Sequence, residues 1–489
     1  MQRAIRWFDY ITTNIYFFGL TTLSQTNGLV IPLLIQGFVG EAQKATYLGN
    51  LRLWSLMVAL LMQALFGMLS DRSTLSLGRR RPFILSGTLL NVVFVAATAL
   101  LVATQGMTGY VLLFIVSIFQ QTASNAAHAA AQGLIPDRVP ENLRGRFSGV
   151  KAILEFPLPV IFVAFVIANI VKGGSLPLAL AVAAGVLLLT MALTMLVPEQ
   201  KLEGTPPPLD WAPFKNLLVM TLFFTAVILG LGQISAWVGT GIQKMASAGL
   251  VLGAMGILGL LSMLIAVGMG VYASIRISLG KEAQANRNFT WWVISRLAFL
   301  VGINNLSTFA VYYFQSRLGY AGTTAAGPAA QLVQVVGVMI FLSALPSGWL
   351  ADRFGRKLLL VISGFAATVG TLIVLLTTSL TVIYIGGAVI GLASGLFFSA
   401  NWAMGTSLVP KDQAARFLGL SNLAGAGAGA VGAYIGGPIA DQVTASLPSV
   451  PGAGYALLFA IYACMFLFSV AAITRVRLET DHSPIPSPI

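Results

Sequence analysis

Gly67-Met-Leu-Ser-Asp-Arg72, running on to Gly78-Arg-Arg-Arg-Pro82, is written a second time 281 positions later as Gly348-Trp-Leu-Ala-Asp-Arg353, running on to Gly355-Arg-Lys357. In both copies an apolar run ends in an acidic and basic loop, and another apolar run follows. The echo extends to Leu134-Ile-Pro-Asp-Arg-Val-Pro-Glu-Asn-Leu-Arg-Gly-Arg-Phe-Ser-Gly149, matched 274 positions on by Leu408-Val-Pro-Lys-Asp-Gln-Ala-Ala-Arg-Phe-Leu-Gly419. The offset shrinks mainly because the first loop holds four extra residues. Two self-similar halves in a chain of apolar runs are the mark of a membrane domain that has been duplicated.

Composition sets the class. Apolar residues make up 57% of 489 and charged ones only 9%, too little polar surface to cover a soluble globule of this length. The first apolar run, from about Ile15 behind Arg3 and Arg6, is longer than a signal-peptide core and lacks a small-residue cleavage site, so it is expected to stay attached. The single cysteine, Cys464, excludes an internal disulfide and any multi-cysteine metal or iron–sulfur site. No metal site and no cofactor are expected. A formal charge of +13 would suggest nucleic acid in a soluble protein. Here the basic residues sit in alternate loops, where they set orientation and meet anionic headgroups, and no basic, aromatic soluble domain exists to bind nucleic acid. Catalysis has no motif to rest on: there is no P-loop, no dinucleotide fingerprint and no multi-His ligand set, so an enzyme is not expected.

A helix needs about 20 apolar residues to cross the hydrocarbon. Fourteen such segments are predicted, roughly at 14–38, 46–69, 82–104, 109–133, 147–171, 176–197, 214–238, 248–275, 290–315, 327–350, 357–378, 380–405, 415–440 and 454–474. With the N-terminus inside, the basic residues from Arg72 through Arg138, Arg276, Lys281, Arg353 and Lys411 to Arg477 fall on the cytoplasmic side. Only Lys44, Lys172, Lys244 and Arg317 fall outside. The expected product is a multi-pass protein of the cytoplasmic (inner) membrane with both termini cytoplasmic. Phe8 and Phe289 share the 281-residue offset, so the surplus pair of helices lies between the repeats. The expected organisation is a six-helix bundle at 1–198, a linker with two inserted helices at 199–288, a second six-helix bundle at 289–478 and a tail at 479–489. Pro-rich Gly204-Thr-Pro-Pro-Pro208 opens the linker.

The duplicated acidic-basic loop resembles the signature of the major facilitator superfamily, and the resemblance covers nearly the whole chain. The first copy, Ser70-Asp71-Arg72 followed after five residues by Gly78-Arg79-Arg80-Arg81-Pro82-Phe83, is similar to the glycoside-pentoside-hexuronide symporters and, within them, the sucrose transporters. The resemblance implies an all-α fold of two six-helix pseudo-repeats, and a cytoplasmic gate at Asp71, Arg72, Arg79, Arg80, Arg81, Asp352, Arg353 and Arg356. Such a gate would pair each acidic helix end with helix N-termini and arginines of the opposite half in one state and release them in the other. The bland alternative for Arg79 to Arg81 is topology and lipid anchoring.

Polar residues deep in apolar spans mark where a solute would sit. Gln121, Asn125, His128 and Gln132 fall at i, i+4, i+7 and i+11, one helix face beside a run of alanines. The ninth span offers Asn304 and Asn305, then Ser307, Thr308, Tyr312 and Tyr313; the first adds Gln25 and Asn27. Gln331, Gln334, Asn401 and Trp402 complete the candidates. Amides, hydroxyls and aromatics orient a hydroxyl-rich solute, although each could equally bond helix to helix.

Ionisable residues within spans are few. Lys151 and Glu155 form an i, i+4 pair that either neutralises itself or serves as a proton site. Arg52 and Arg296 are too basic to carry protons; either could bind an anionic group or fix a carboxylate such as Glu155. Against the sucrose-transporter pattern, Gln121 stands where that family carries a membrane aspartate, and the second span lacks the acids of the melibiose-type relatives. Glu155, Lys151 and His128 remain as candidates for coupling to a proton or sodium ion. Gly425, Gly427, Gly429, Gly432, Gly436, Gly437 and Pro438 resemble a glycine-proline pattern of superfamily exporters, displaced from its usual helix.

The reading is therefore a secondary transporter that moves a glycoside or similar polyhydroxylated solute by alternating access, in contact with membrane lipids. One alternative is an exporter or flippase of an amphipathic, lipid-like molecule. Another is a non-transporting scaffold or assembly factor that binds a protein partner through 205–288.

Overall fold

The computed structural model describes residues 6–199, 206, 208–245, 247–279, 287–408 and 414–477. Lys281, Lys411, part of the expected linker and the tail 479–489 lie outside them, as does the side chain of Lys244. In hydrocarbon every backbone N–H and C=O must find its partner within the protein, and apolar runs of this length satisfy that as helices. Among the described residues twelve helices are long and apolar enough to cross a membrane, thirteen when one bent pair counts as a span. Ala414–Ser446, a helix of 33 residues, takes the remaining place.

In chain order the spans are α1 (Trp7–Val39), α2 (Lys44–Asp71), α3 (Arg81–Ala103), α4 (Gly106–Arg138), α5 (Glu141–Lys172) and α6 (Leu176–Thr194). The inserted pair is α7 (Ala212–Ile242) and α8 (Gly249–Ile277). The second half holds α9 (Arg287–Thr308 with Ala310–Leu318), α10 (Gly322–Phe354), α11 (Arg356–Leu375), α12 (Leu380–Leu408), α13 (Ala414–Ser446) and α14 (Ala453–Thr474). The all-helical fold of two six-helix repeats with an inserted pair is thus the observed one.

Two predicted spans are not continuous rods. In α5 the helix breaks at Phe156 and Pro157, where proline removes a donor and crowds the preceding turn, and a π-turn follows at Val163–Ile167. The ninth span bends by 60° between Thr308 and Ala310.

The halves meet symmetrically. The second helix of each packs on the fifth of the other, α2 on α13 and α10 on α5. Lipid tails are as apolar as the helices, so this association depends on close packing rather than on the hydrophobic effect. Of the glycines of α13, Gly437 supplies it toward the other half, while Gly432 and Gly436 close α13 onto helices of its own half. A Cβ at Gly432 would run into Asn305 of α9, one at Gly436 into Leu458 of α14, and one at Gly437 into the backbone of Ala45 and Thr46 of α2. The inserted pair lies against α13, joined within itself by a 2.8 Å hydrogen bond between Ser235 and Ser262. Trp237, Leu250 and Ile257 of the pair stay largely exposed, as lipid-facing side chains would.

Candidate functional site

Where the halves face each other, two connected cavities open. The first, about 270 Å³, is lined by α1 to α5 and includes Ser24, Asn27, Asn91, Ser117, Gln121, Asn125, His128 and Glu155. A second, about 330 Å³, reaches across to Asn304, Ser307 and Thr308 of α9 and to Phe156, Phe398 and Gly425. Ser24, Gly28 and Arg52 line both, so the two form one central space with Arg52 at the junction.

Among the predicted site residues, Gln25, Asn27, Gln121, Asn125, His128 and Asn304 line this space. Asn125 donates to its own helix at Gln121 O, 2.8 Å, and His128 shares a 2.9 Å hydrogen bond with Gln132. Five others are placed elsewhere. Asn305 is fully buried and ties α9 to α13 through Ala428 O at 3.2 Å. Tyr312 donates to Pro32 O at 2.8 Å, a contact between the halves. Gln331 accepts from Tyr384 at 2.7 Å, and Asn401 accepts from Arg296 at 2.7 Å. Trp402 lies 6.0 Å from the Arg296 guanidinium and is otherwise exposed. A one-dimensional polar stripe names residues that avoid lipid; whether they face a cavity or a neighbouring helix depends on packing.

Several cavity residues escaped the sequence reading, among them Asn91 and Ser117. Among the described residues, Asn91 of α3 is fully buried with both amide atoms unpartnered, and Ser117 of α4 is buried with an unpartnered hydroxyl. Their only signal was a lone polar residue in an apolar run. Lys151 and Glu155 stand 3.5 Å apart, and the Lys151 ammonium lies 4.2 Å over the ring of Phe17, which packs edge-on to His128.

At one end the halves are bonded together. Asp441 of α13 accepts from the backbone N–H of Ala45 at 3.2 Å and of Thr46 at 2.7 Å, and from the Thr46 hydroxyl at 2.7 Å. It therefore caps the first turn of α2 from the other half, where the helix leaves N–H groups unpaired. Buried Lys44 joins Glu41 at 2.7 Å and Gln315 at 2.9 Å, and Gln315 donates to Gln36 at 2.8 Å. Burial alone would raise the Glu41 carboxyl, but its bond to Lys44 outweighs that and holds it below its ordinary value. Neither Asp441 nor Lys44 was singled out from sequence as joining the halves.

At the opposite end the basic loops bond within their own half. Arg80, almost fully buried, reaches Asp137 at 2.8 Å, Ser70 at 2.6 Å and Asp71, while Arg79 also meets Asp137. Desolvation works against the Arg80 charge, yet the two carboxylates outweigh it and raise its pKa above the ordinary value. The backbone N–H groups of Arg80 and Arg81 are held by Glu199 at 2.7 and 2.9 Å, and Arg72 donates to Pro208 O at 3.0 Å. In the second half Arg356 donates to Ala403 O at 2.9 Å, Arg353 lies over Trp349, and Asp352 is exposed. Every hydrogen bond between the halves that joins two described residues lies at the Lys44 end. The expected pairing of Asp71 and Asp352 across the halves is absent from the hydrogen bonds and ion pairs of the described residues in this state.

Residues 294–488 match the family model of the Major Facilitator Superfamily. Curated proteins yield no match to the chain. Among solved structures, the nucleoside transporter NupG superposes with a TM-score of 0.65 at 12% identity, covering 95% of this chain and 99% of that one. An auto-inhibited POT family peptide transporter does so at 0.62 and 17%, covering 98% of each, and a D-xylose-proton symporter at 0.61 and 16%, covering 97% of each. Likeness at such identities speaks for the fold alone. The chain has the major facilitator fold along its length, and its second half matches the Major Facilitator Superfamily in sequence as well.

Proposed function

We propose that this protein is a secondary transporter that carries a small polyhydroxylated solute across the cytoplasmic membrane by alternating access. The observation that carries the reading is the central cavity between the repeats, lined from both halves by amides and hydroxyls and bounded at one end by a bonded interface. Unpartnered amide atoms on Asn27 and Asn91 and the hydroxyl of Ser117 suit a ligand with hydroxyl groups, which can both donate and accept. With the termini cytoplasmic, the Lys44 end is extracellular and the state described faces inward. The Asp71 and Asp352 loops would then pair across the halves in the outward-facing state. Glu155, with Lys151 beside it and His128 across Phe17, is the proposed coupling cluster, since it borders the cavity and holds a carboxylate able to take up a proton. The polar groups of the first cavity favour a hydrophilic solute, and the second adds apolar surface from residues such as Val160, Val333 and Ile340.

Uptake into proteoliposomes of a labelled panel of disaccharides, glycosides and sugar alcohols, with and without an imposed proton gradient, tests this. Gradient-stimulated uptake is expected, reduced at least tenfold by Asn304→Ala, with the gradient's effect lost in Glu155→Gln. No flux of any panel member through folded, correctly oriented protein refutes the reading.

A further inference from the structure

We infer that the transported solute carries one negative charge, a carboxylate, and that Arg52 is the residue that recognises it. This rests on the transport reading but replaces a neutral glycoside with a hydroxylated acid. Arg52 lies eight residues into α2 from Lys44, about 12 Å along the axis at 1.5 Å per residue, well inside the span. It lines both cavities at their junction. Among the described residues it forms no hydrogen bond and no ion pair. A charge at that depth is costly unless paired, and such residues mark solute pathways.

The other cationic groups near the central space are already engaged. Lys151 faces Glu155 at 3.5 Å, and Arg296 is held by Asn401 at 2.7 Å with Trp292 and Trp402 beside it. Arg52 is therefore the one uncompensated positive charge of the cavity among the described residues. A single guanidinium matches a monoanion; a phosphate dianion would call for a second cation. The buried, unpartnered Asn91 amide and Ser117 hydroxyl on the same cavity wall provide for the hydroxyls of the ligand.

Direct binding to the full-length protein in detergent, by titration calorimetry, separates the classes through matched pairs: gluconate against sorbitol, glucuronate against glucose, and glucose 6-phosphate as the dianion. The acids are expected to bind at least tenfold tighter than their neutral partners. Arg52→Gln should erase that preference, and Arg52→Lys should keep part of it. In the absence of ligand, Arg52→Gln should melt at or above the wild-type temperature, because it removes an unpaired charge; a lower melting temperature would mean that Arg52 has a partner in the protein. Equal binding of acid and neutral partners, survival of the preference in Arg52→Gln, tighter binding of the phosphate, or no binding by any of the five overturns the inference. Binding in detergent needs no transport. Acids that bind but never cross a liposome membrane refute the transporter and leave this inference standing; neutral sugars that cross while acids fail to bind do the reverse.

Discussion

Asn91 shows how function and stability oppose each other at a single residue. Its amide is fully buried in α3 with donor and acceptor both unsatisfied, an arrangement that costs about 1–3 kcal/mol per group unless a ligand completes it. Replacing it by leucine, of similar size, should therefore stabilise the empty protein by about 1–2 kcal/mol while lowering solute affinity at least tenfold. Thermal unfolding and binding measured on the same preparation check both signs; a variant that loses stability and keeps affinity contradicts the role. Asn305, next to a true cavity residue in sequence, shows the opposite outcome. Its amide nitrogen donates to Val301 O and Ala428 O, so it holds helices together. Only the rotation of α9 distinguishes it from Asn304, and no residue type could have told them apart.

At the scale of elements, α2 and α13 make the contact that closes the Lys44 end. A Cβ added at Gly49 would come within 2.9 Å of the backbone carbon of Ala433, and one at Gly437 within 2.8 Å of that of Ala45. Backbone cannot yield as a flexible side chain can. Gly49→Ala and Gly437→Ala should therefore each force the helices apart at this end, with a cost of about 1–3 kcal/mol typical of overpacking. The expected result is a longer spin-label distance between cysteines introduced at Glu41 and Val450, in a background where Cys464 is replaced by serine. An unchanged distance would show that the close approach is not what seals this end. The spans themselves, including the inserted pair, were legible from apolar length alone. The break at Phe156 was signalled by Pro157, whereas nothing in the run from Arg287 to Leu318 announced the 60° bend.

For the whole molecule, the decisive feature is that the bonds between described residues of the two halves gather at one end. Asp441 contributes three of them and sits at the joint of α13 with α2. Asp441→Asn keeps the shape but loses acceptor capacity toward the α2 N-terminus, at about 1.5–3 kcal/mol for a hydrogen bond to a charged group. The equilibrium between the two openings should shift by about ten- to a hundredfold toward the state open at the Lys44 end. The same labelled pair reads the population; a distribution identical to that of the parent would remove Asp441 from the latch. Arg80 and its partners should be little affected, since their bonds stay inside one half.

By itself, the sequence determined the membrane class, the span pattern, the duplication and the loops at which the repeat is most visible. These are properties of runs and spacings, which survive in one dimension because hydrocarbon demands long apolar helices and a duplicated fold repeats its turns. Tertiary structure alone decided which amides face the cavity, that Arg52 stands there without a partner among the described residues, and that Asp441 reaches the first turn of α2. Those depend on the rotation of each helix and on contacts between residues hundreds of positions apart, and neither quantity is written in the spacing of any single helix.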